Sequence, residues 1–335
     1  MHYDKKYMRR ALELARHGLG NTSPNPMVGA VIVDNNGRII GEGYHRRCGE
    51  GHAEVNAVAS VKDKSLLKDS TIYVTLEPCS HYGKTPPCAR LIINSGIPRV
   101  VVGAGDPFKE VAGRGIRMLR EAGVEVVEDV LAEESCKLNR RFMTAHKAAR
   151  PFITLKWAQS SDGFMDSDRA DGNPAKFSTL LTSSLMHRLR SLHDAILVGS
   201  GTVIADNPRL DCRLWPGRSP KPIILDRSKR INAAELKMSH PIILSDYSNL
   251  RNAVEMLYKK GITSVLVEGG AKVIQAFINE NLWDVARIET APSALGVHGR
   301  VKSPTLNNFC ELSSEVIDGN KIQVYENISD VQCGD

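Results

Sequence analysis

The stretch that opens with His52-Ala53-Glu54 and closes at Cys88 decides how this chain is organised. Thr75-Leu76-Glu77-Pro78-Cys79 lies inside it, and Cys88 follows nine positions after Cys79. One imidazole and two thiolates suit a catalytic zinc ion, which keeps its fourth position for water. Glu54 can then lie beside that position and carry a proton from the water to a leaving amine.

This pattern shares one half of the zinc nucleoside-deaminase signature, HxE, and departs from the other half, PCxxC. Eight residues, Ser80 to Pro87, separate the two cysteines instead of two. HxE alone is common by chance, and a pair of cysteines is often buried apolar filler. The order of the residues, the proline before Cys79 and a helix–strand–helix context together favour the metal site.

Strands alternate with helices around this stretch. The patterns predict an N-terminal packing helix from Tyr7 to Ala15 and a second helix whose first turn carries His52 and Glu54. Ser70 to Leu76 indicates a strand buried on both faces, and Cys88 starts a helix whose N-terminus favours its thiolate. Further strands are expected at 27–33, 38–42, 99–104 and 124–127, and helices at 113–122 and 131–149. Such alternation is typical of an α/β layer sandwich.

Composition limits the classes of function. At 335 residues the chain is long enough for two domains, which we place at 1–149 and 150–335, with the break at Arg150-Pro151. The net charge of +6 can serve a phosphorylated substrate, but no dense basic stripe of a nucleic-acid binder is present. Seven irregularly spaced cysteines and an N-terminus without an apolar signal core indicate the cytoplasm, and no apolar run is long enough to span a membrane.

The second half repeats the alternation of strands and helices. We expect a strand over 152–158, a helix over 185–192, and a strand over 195–198 that ends in Gly199-Ser200-Gly201. That GxG lacks the third glycine and the later acidic residue of a standard Rossmann fingerprint. Ser264 to Glu268 predicts another strand, followed by Gly269-Gly270 and a helix over 271–278. These glycines allow a diphosphate to approach the helix N-terminus, or they serve a tight turn alone.

The N-terminal motifs resemble the deaminase half of the bifunctional riboflavin-biosynthesis deaminase/reductase family, which has a cytidine-deaminase-like α/β/α sandwich. The segments that carry the resemblance are Ser23–Gly29, Gly43–His45, His52–Glu54 and Glu77–Cys88, including the eight-residue spacer. The resemblance implies zinc ligands at His52, Cys79 and Cys88, a catalytic proton shuttle at Glu54, and a pyrimidine pocket at Asn25 and His45.

Some residues near these motifs have simpler interpretations. Asn25 between two prolines can form an Asx turn, and His45 can be a surface loop histidine. His81 is a possible extra ligand by residue type, but three protein ligands already fill a catalytic zinc site, so we place it outside. Gly105-Asp106-Pro107 resembles a substrate-side loop of the family, and this chain has Phe108-Lys109 where the family has Asn-Pro.

The C-terminal motifs resemble the reductase half of the same family, which is similar in fold to dihydrofolate reductase. The segments are Lys156–Ala158, Ser161–Gly163, Asp194–Gly199, Thr202, Asp206–Pro208 and Val267–Gly270. The resemblance implies NADPH contacts at Ala158, Thr202, Asp206, Gly270, Ala271, Lys272, Val273, Ile274, Gln275 and Ala276. It implies substrate contacts at Lys156, Arg190, Leu210, Arg213 and Glu268. The segment from Gly163 to Thr182 departs most from the family, which often has a tryptophan shortly before the helix where this chain has Phe177-Ser178-Thr179.

Two of these substrate residues are arginines, and guanidinium groups match phosphate oxygens. Either Arg190 or Arg213 can instead be a solvated surface charge, and Lys156 can be a strand-end lysine in solvent. A substrate contact requires these three side chains to face a pocket, whereas a solvated charge requires them to lie on the surface.

The sequence thus predicts two consecutive reactions on one phosphorylated pyrimidine, a zinc-dependent deamination followed by an NADPH-dependent reduction of the ribosyl group. We expect a homo-oligomer that binds neither nucleic acid nor membrane. A nucleic-acid deaminase shares the zinc chemistry, but the aromatic content of 5% argues against it. A non-catalytic scaffold would have lost ligands, whereas the deaminase half keeps all three and the glutamate; the more diffuse reductase half is more open to that objection.

Overall fold

The computed structural model describes residues 5–81, 86–108, 112–170 and 172–328. Among the motif residues, Tyr82, Gly83, Lys84, Thr85 and Lys109 lie outside the described part. The chain divides into two compact units, Met1–Ala148 and Ala149–Asp335. No helix in the described part combines the length and the apolar character needed to span a bilayer.

The first unit interleaves helices and strands. Its elements are α1 (Lys5–Arg16), β1 (Gly29–Val33), β2 (Ile39–Tyr44), α2 (Ala53–Ser60), β3 (Thr71–Leu76), α3 (Cys88–Asn94), β4 (Arg99–Ala104), α4 (Arg114–Glu121), β5 (Glu125–Val127), α5 (Ala132–Leu138) and α6 (Arg140–Ala148).

One sheet with the strand order β2-β1-β3-β4-β5 forms the centre of this unit. β1 pairs antiparallel with β2 and β3, whereas β3, β4 and β5 run parallel. Alternate residues of β1 point to opposite faces: Ala30 and Ile32 join the core under α2 and α3, while Val31 and Val33 join the core under α1. Because both faces are apolar, helices cover both, which confirms the predicted α/β/α sandwich.

Gly43 brings the helix with the metal motif close to the sheet. A Cβ at this position would lie 2.3 Å from the backbone nitrogen of Ala57 in α2, so no larger residue fits without moving the helix. The close approach of β2 and α2 therefore depends on glycine.

The single helix predicted over 131–149 is wrong, because it is interrupted at Asn139, between α5 and α6. The Asn139 side chain accepts a hydrogen bond from Met27 N–H and donates one to Met27 C=O, both at 2.8 Å. These two hydrogen bonds hold the residue between α5 and α6 against a segment that lies 112 residues earlier in the chain. The break therefore ties the end of this unit to the loop that carries Asn25.

The second unit continues the alternation and ends in a hairpin. Its elements are β6 (Phe152–Gln159), β7 (Phe164–Ser167), α7 (Leu180–Ser191), β8 (Ala195–Gly199), α8 (Ser200–Asp206), β9 (Lys221–Leu225), β10 (Ile242–Leu244), α9 (Leu250–Lys259), β11 (Ser264–Val267), α10 (Ala271–Asn279), β12 (Val285–Thr290), β13 (Gly299–Lys302), β14 (Phe309–Ile317) and β15 (Asn320–Asn327).

The large sheet of this unit has the order β10-β9-β8-β11-β6-β12-β15-β14. The strands from β10 to β12 in this order are parallel, and β15 and β14 are antiparallel to their neighbours. Val265 and Val267 of β11 pack under α9 and α10, whereas Leu266 packs with Met186 of α7 on the opposite face. The α/β class and the reductase-like architecture predicted for this half are confirmed.

Helix α7 begins at Leu180, five residues before the predicted start at Leu185. Thr179 caps it: its side chain accepts from Thr182 N–H, and the Thr182 hydroxyl accepts from Thr179 N–H. This reciprocal pair is a capping box with threonine in the place of the usual glutamate. The sequence pattern missed the start because Leu180 and Leu181 are exposed and do not continue the buried stripe.

Candidate metal centre, substrate cavities and cofactor cavity

Three side chains of the first unit converge at the ends of three elements. His52 is the residue before α2, Cys79 follows β3, and Cys88 is the first residue of α3. The Nδ1 of His52 lies 3.6 Å from the Sγ of Cys79 and 3.4 Å from that of Cys88. All three potential ligand atoms lie within 4.8 Å of one another, which places them around one point.

The chemistry of these donors fits zinc. Hydrogen bonds from the Cys88 thiol and from His52 lower the pKa of Cys79, so a thiolate forms readily there. The backbone N–H of Cys88 also donates to the sulfur of Cys79 at 3.3 Å. An imidazole and two sulfurs at this separation form an open three-residue set, as in catalytic rather than closed structural zinc sites.

Glu54 lies in the first turn of α2, two residues after the histidine, and only 3% of its surface is exposed. Burial, reinforced by the charge of Cys79, raises the pKa of Glu54 to about 7. A carboxyl group of this kind exchanges protons near neutral pH, which is what a general acid–base group requires.

A cavity of about 460 Å³ is lined by two of the donors, His52 and Cys79, and by Glu54. The amide nitrogen of Asn25 lies 3.2 Å from the Nε2 of His45, and the Nδ1 of His45 lies 3.1 Å from the carbonyl oxygen of Gly51. His45 is buried and its ring meets that of His52 edge-on, with centroids 5.3 Å apart. The predicted pocket residues are therefore brought together with the metal donors, and His45 is not a surface histidine.

Several further residues line this cavity. His81 is exposed at its edge and outside the three-donor group. Phe108 and Phe142 each meet the ring of His146 edge-on, with centroids 5.5 and 4.5 Å apart. Sequence reasoning missed this aromatic wall because Phe142 and His146 lie in a helix far along the chain. The one sequence signal for this wall was Phe108, which stands where the family has asparagine.

The carboxylate of Glu77 shapes the rim of the cavity. It accepts backbone hydrogen bonds from Asp106, Gly113 and Gly115 at 3.2, 3.0 and 2.9 Å. A Cβ at Gly115 would lie 2.0 Å from the carbonyl oxygen of Pro78, so α4 can start this close only with glycine there. The sequence motif includes Glu77, but only the fold shows that its carboxylate accepts hydrogen bonds from Gly113 and Gly115 at the start of α4.

The second unit has a cavity of about 420 Å³ at the ends of β6 and β11. Lys156, Ala158 and Glu268 line it, together with Phe177 and Ser178 from the segment before α7. Burial lowers the pKa of Lys156. Lys156 is therefore a pocket lysine and not a strand-end lysine in open solvent.

The other predicted substrate residues lie in different environments. Arg190 binds both oxygens of Glu268, at 2.8 and 2.7 Å, and each side chain of the pair is 12% exposed. Arg213 is 52% exposed and pairs with Asp211. Leu210 is buried in the core under α7. The structure thus joins Arg190, Glu268 and Lys156, and leaves Arg213 on the surface.

A larger cavity of about 1040 Å³ adjoins the 420 Å³ cavity of the second unit. It contains Thr202, Asp206 and the start of α10, and the Thr202 hydroxyl accepts a hydrogen bond from Gly270 N–H at 3.0 Å. The predicted residues Gly270, Ala271, Lys272, Val273 and Ala276 line this cavity. Of the predicted run, Ile274 packs in the core and Gln275 bonds to Thr305 and Asn279, because successive side chains of a helix face different directions.

Two arginines that sequence reasoning missed also line the larger cavity. The guanidinium of Arg227 lies 4.6 Å from the ring centroid of Tyr247, and Arg230 donates to the hydroxyl of Ser200 at 3.0 Å. Among the described residues, neither forms an ion pair with a carboxylate. The run Arg227-Ser228-Lys229-Arg230 after a strand was the available signal, and its position at the cavity follows from the parallel sheet.

Comparisons with known proteins match both units. The family of the cytidine and deoxycytidylate deaminase zinc-binding region matches residues 1–104, and the RibD C-terminal domain family matches residues 151–318. The chain is 39% identical to riboflavin biosynthesis protein RibD of Bacillus amyloliquefaciens over 88% of this chain and 85% of the relative.

Solved structures agree over both units. RibD of Acinetobacter baumannii superposes with a TM-score of 0.87 at 32% identity, covering 96% of this chain and 98% of that one. A diaminohydroxyphosphoribosylaminopyrimidine deaminase/5-amino-6-(5-phosphoribosylamino)uracil reductase of Thermotoga maritima gives 0.84 at 37% identity, with the same coverage. Zinc and NADPH are the cofactors that accompany these two domains. The chain belongs to the RibD family, the bifunctional deaminase/reductases of riboflavin biosynthesis.

Proposed function

We propose that this chain deaminates a diaminohydroxyphosphoribosylaminopyrimidine in its first unit and reduces the ribosyl group of the deaminated product in its second. The substrate pair is the one named for the Thermotoga maritima relative. The observation that carries the proposal is the convergence of His52, Cys79 and Cys88 on one point, with Glu54 buried beside them. A scaffold protein has no need for such an arrangement.

In the first unit, we assign the metal ligands to His52, Cys79 and Cys88. Zinc, when bound there, supplies a water of lowered pKa at the open position. Glu54 would carry a proton to the leaving amine, since it is the buried carboxyl group next to the donors. Asn25 and His45 hold the pyrimidine ring through the amide and imidazole groups that face the same cavity.

In the second unit, we assign the cofactor to the 1040 Å³ cavity and the ribosyl phosphate to the 420 Å³ cavity. NADPH supplies the hydride. Lys156 offers a cationic group to the opened sugar, while Glu268 and Arg190 fix one end of the cavity as a preformed pair. The start of α10 and the hydroxyl of Thr202 receive the cofactor phosphates and ribose.

We further propose that the enzyme acts on small molecules in the cytoplasm, without nucleic acid, and forms a homo-oligomer. The odd number and irregular spacing of the cysteines support a reducing compartment. The exposed strand β14 at the edge of the large sheet supports self-association, because an unpaired edge can pair with a second copy. Size-exclusion chromatography with light scattering tests this, and a monomer would contradict it.

The test of the two activities uses the purified full chain loaded with zinc. Ammonia release and NADPH oxidation are followed separately with the phosphoribosylaminopyrimidine as substrate. We expect both signals, with ammonia first, and we expect Glu54→Gln to abolish ammonia release while NADPH oxidation with the pre-deaminated substrate continues. Glu50→Gln, an exposed carboxylate nearby, serves as the control. Near-normal ammonia release by Glu54→Gln would contradict the assignment.

A further inference from the structure

Glu289 is a buried carboxylate that the assignments above leave without a role. It lies at the penultimate position of β12, and none of its surface is exposed. A buried carboxylate is costly unless hydrogen bonds and opposite charges compensate for the lost water. Its partners therefore indicate why this position can hold a charge.

Two hydrogen bonds join Glu289 to separate parts of the unit. The hydroxyl of Ser178 donates to Oε2 at 2.9 Å, and the amide of Asn320 donates to Oε1 at 2.7 Å. The same amide nitrogen donates to the carbonyl oxygen of Phe177 at 2.8 Å. One carboxylate and one amide thus hold the Phe177–Ser178 segment against the hairpin of β14 and β15.

Phe177 and Ser178 are also part of the wall of the 420 Å³ cavity that contains Lys156. Glu289 is not among the residues that line this cavity, so it supports the wall from behind. The placement of the Phe177–Ser178 wall relative to Lys156 therefore depends on a residue that does not face the cavity.

Glu289 and Lys156 share one face of the sheet. Arg287 of β12 is directly opposite Lys156 of β6, and Glu289 is opposite Ala158. Ala286 and Ile288, the alternate residues of β12, pack into the core on the other face. Glu289 and Arg287 consequently lie on the face of α7, with Lys156.

The charges around Lys156 come from three elements. Glu268 follows β11, Glu289 and Arg287 belong to β12, and Arg190 belongs to α7. Burial lowers the pKa of Lys156, the two carboxylates act against this, and the two guanidinium groups reinforce it. Burial also favours the neutral form of Glu289, but the hydroxyl of Thr182, the Lys156 charge and the Asn320 and Ser178 hydrogen bonds hold its pKa below the usual range. The carboxylate is thus ionised.

We propose that Glu289 is a positioning residue of the reductase site, which acts in two ways. Together with Asn320 it fixes the Phe177–Ser178 wall against which the phosphorylated ribosyl substrate binds, and its negative charge favours the cationic form of Lys156. The inference rests on the assignment of the reduction to this cavity. It adds the segment before α7 and the terminal hairpin to the parts that determine substrate affinity.

The test compares Glu289→Gln with Glu315→Gln in the full zinc-loaded chain. Glu315 is exposed on β14 and lies in the same cross-strand row as Glu289. NADPH oxidation is measured with 5-amino-6-(5-phosphoribosylamino)uracil as a function of pH. For Glu289→Gln we expect the KM for this substrate to rise about tenfold, the KM for NADPH to stay unchanged, and the alkaline limb of activity to move to lower pH. Glu315→Gln leaves all three unchanged.

Asn320→Ala separates the two effects, because it removes the anchor of the wall and keeps the carboxylate. We expect it to raise the substrate KM without moving the alkaline limb. A folded Glu289→Gln with the KM and pH profile of the parent overturns the proposal. If Glu289→Gln fails to fold, an unchanged substrate KM in Asn320→Ala and Ser178→Ala overturns it as well. A parent chain that does not oxidise NADPH with this substrate refutes instead the proposed function.

Discussion

The deaminase and reductase sites of this chain differ in how their chemistry is distributed along the sequence. The metal donors and Glu54 lie within residues 52–88, on the ends of neighbouring elements. The reductase site collects Lys156, Arg190 and Glu268 from distant segments, and neither cavity of that unit is complete without the segment before α7 or the loop after β9. A metal site can be recognised by ligand spacing, whereas a cofactor and sugar site depends on which strand ends a parallel sheet brings together.

The two sites also differ in their electrostatics. The first unit places an imidazole and two sulfurs around one point, beside the carboxyl group of Glu54, whose pKa is raised. A bound cation would offset the negative charge that collects there. The second unit contains a buried ion pair, the fork between Arg190 and Glu268. We therefore expect the first site to respond to loss of its metal and the second to loss of a charged partner.

The largest expected effect is that of losing a metal ligand. Cys88→Ser should reduce deamination at least about a thousandfold, because zinc lowers the pKa of its bound water from 15.7 to about 7 and the variant loses that activation. NADPH oxidation with the pre-deaminated substrate should stay within about twofold of the parent, since the second unit contributes no residue to the three-donor group. Zinc content by mass spectrometry and the two separate assays check this.

Cys48→Ser is the matched control, because Cys48 is exposed and outside the donor group. Treatment of the parent with a zinc chelator should reproduce the selective loss of deamination. Full zinc content and full deamination in Cys88→Ser would remove the basis of the comparison between the two sites.

The next effect in size concerns the buried pair of the reductase. Glu268→Gln leaves the guanidinium of Arg190 without its carboxylate, and breaking a buried pair in this way costs about 3–5 kcal/mol. We expect kcat/KM for NADPH oxidation to fall at least about a hundredfold, with deamination unchanged. Steady-state kinetics with the deaminated substrate measure it.

Acidification should act on the same pair in the parent enzyme. Burial would raise the pKa of Glu268, but the charge of Arg190, its hydrogen bonds and the charge of Lys156 hold it below the usual range. A group with a lowered folded-state pKa stabilises the fold above its unfolded value, and this contribution is lost as the pH falls. Unfolding followed from about pH 6 down to about pH 2, which spans the unfolded value and the lowered folded value, should show a loss that is smaller in Glu268→Gln than in Glu255→Gln, an exposed control on α9. Equal losses would contradict the role of the pair.

These contrasts explain how much the sequence could predict. The spacing from His52 to Cys88 was sufficient for the donors, and the continuous apolar runs of β1 and β3, which are buried on both faces, were sufficient for the sandwich. Arg227 was missed because its significance depends on β9 running beside β8. The contact of Asn139 was missed because its partner is a backbone group 112 residues away, at Met27. Contacts between distant residues have no local signature, and these are the contacts that complete both sites.

A smaller effect should distinguish the two nicotinamide cofactors. Arg227 and Arg230 line the cofactor cavity without carboxylate partners among the described residues, so they are available for the extra phosphate of NADPH. Arg227→Ala should weaken NADPH binding about tenfold to a hundredfold, the range of a hydrogen bond to a charged group, and leave NADH binding unchanged. Fluorescence titration of both cofactors measures this. Lys229→Ala is the control, since Lys229 pairs with Asp246; equal losses for NADPH and NADH in Arg227→Ala would be contrary to a phosphate contact.

The smallest effect we predict is that of Asn139, which connects the end of the first unit to the Asn25 loop. Asn139→Ala leaves the N–H and C=O of Met27 without their partners, at a cost of about 1–3 kcal/mol for each group that stays buried. Because Met27 is two residues after Asn25, the expected result is a deaminase KM raised about fivefold to tenfold with kcat nearly unchanged. Asn139→Asp keeps the acceptor for Met27 N–H and loses the donor to Met27 C=O, so its KM should lie between those of the parent and Asn139→Ala. A kcat that falls while KM stays constant would mean that Asn139 acts on the metal donors and not on the pyrimidine loop, and the deaminase site would then depend on distant contacts as much as the reductase site does.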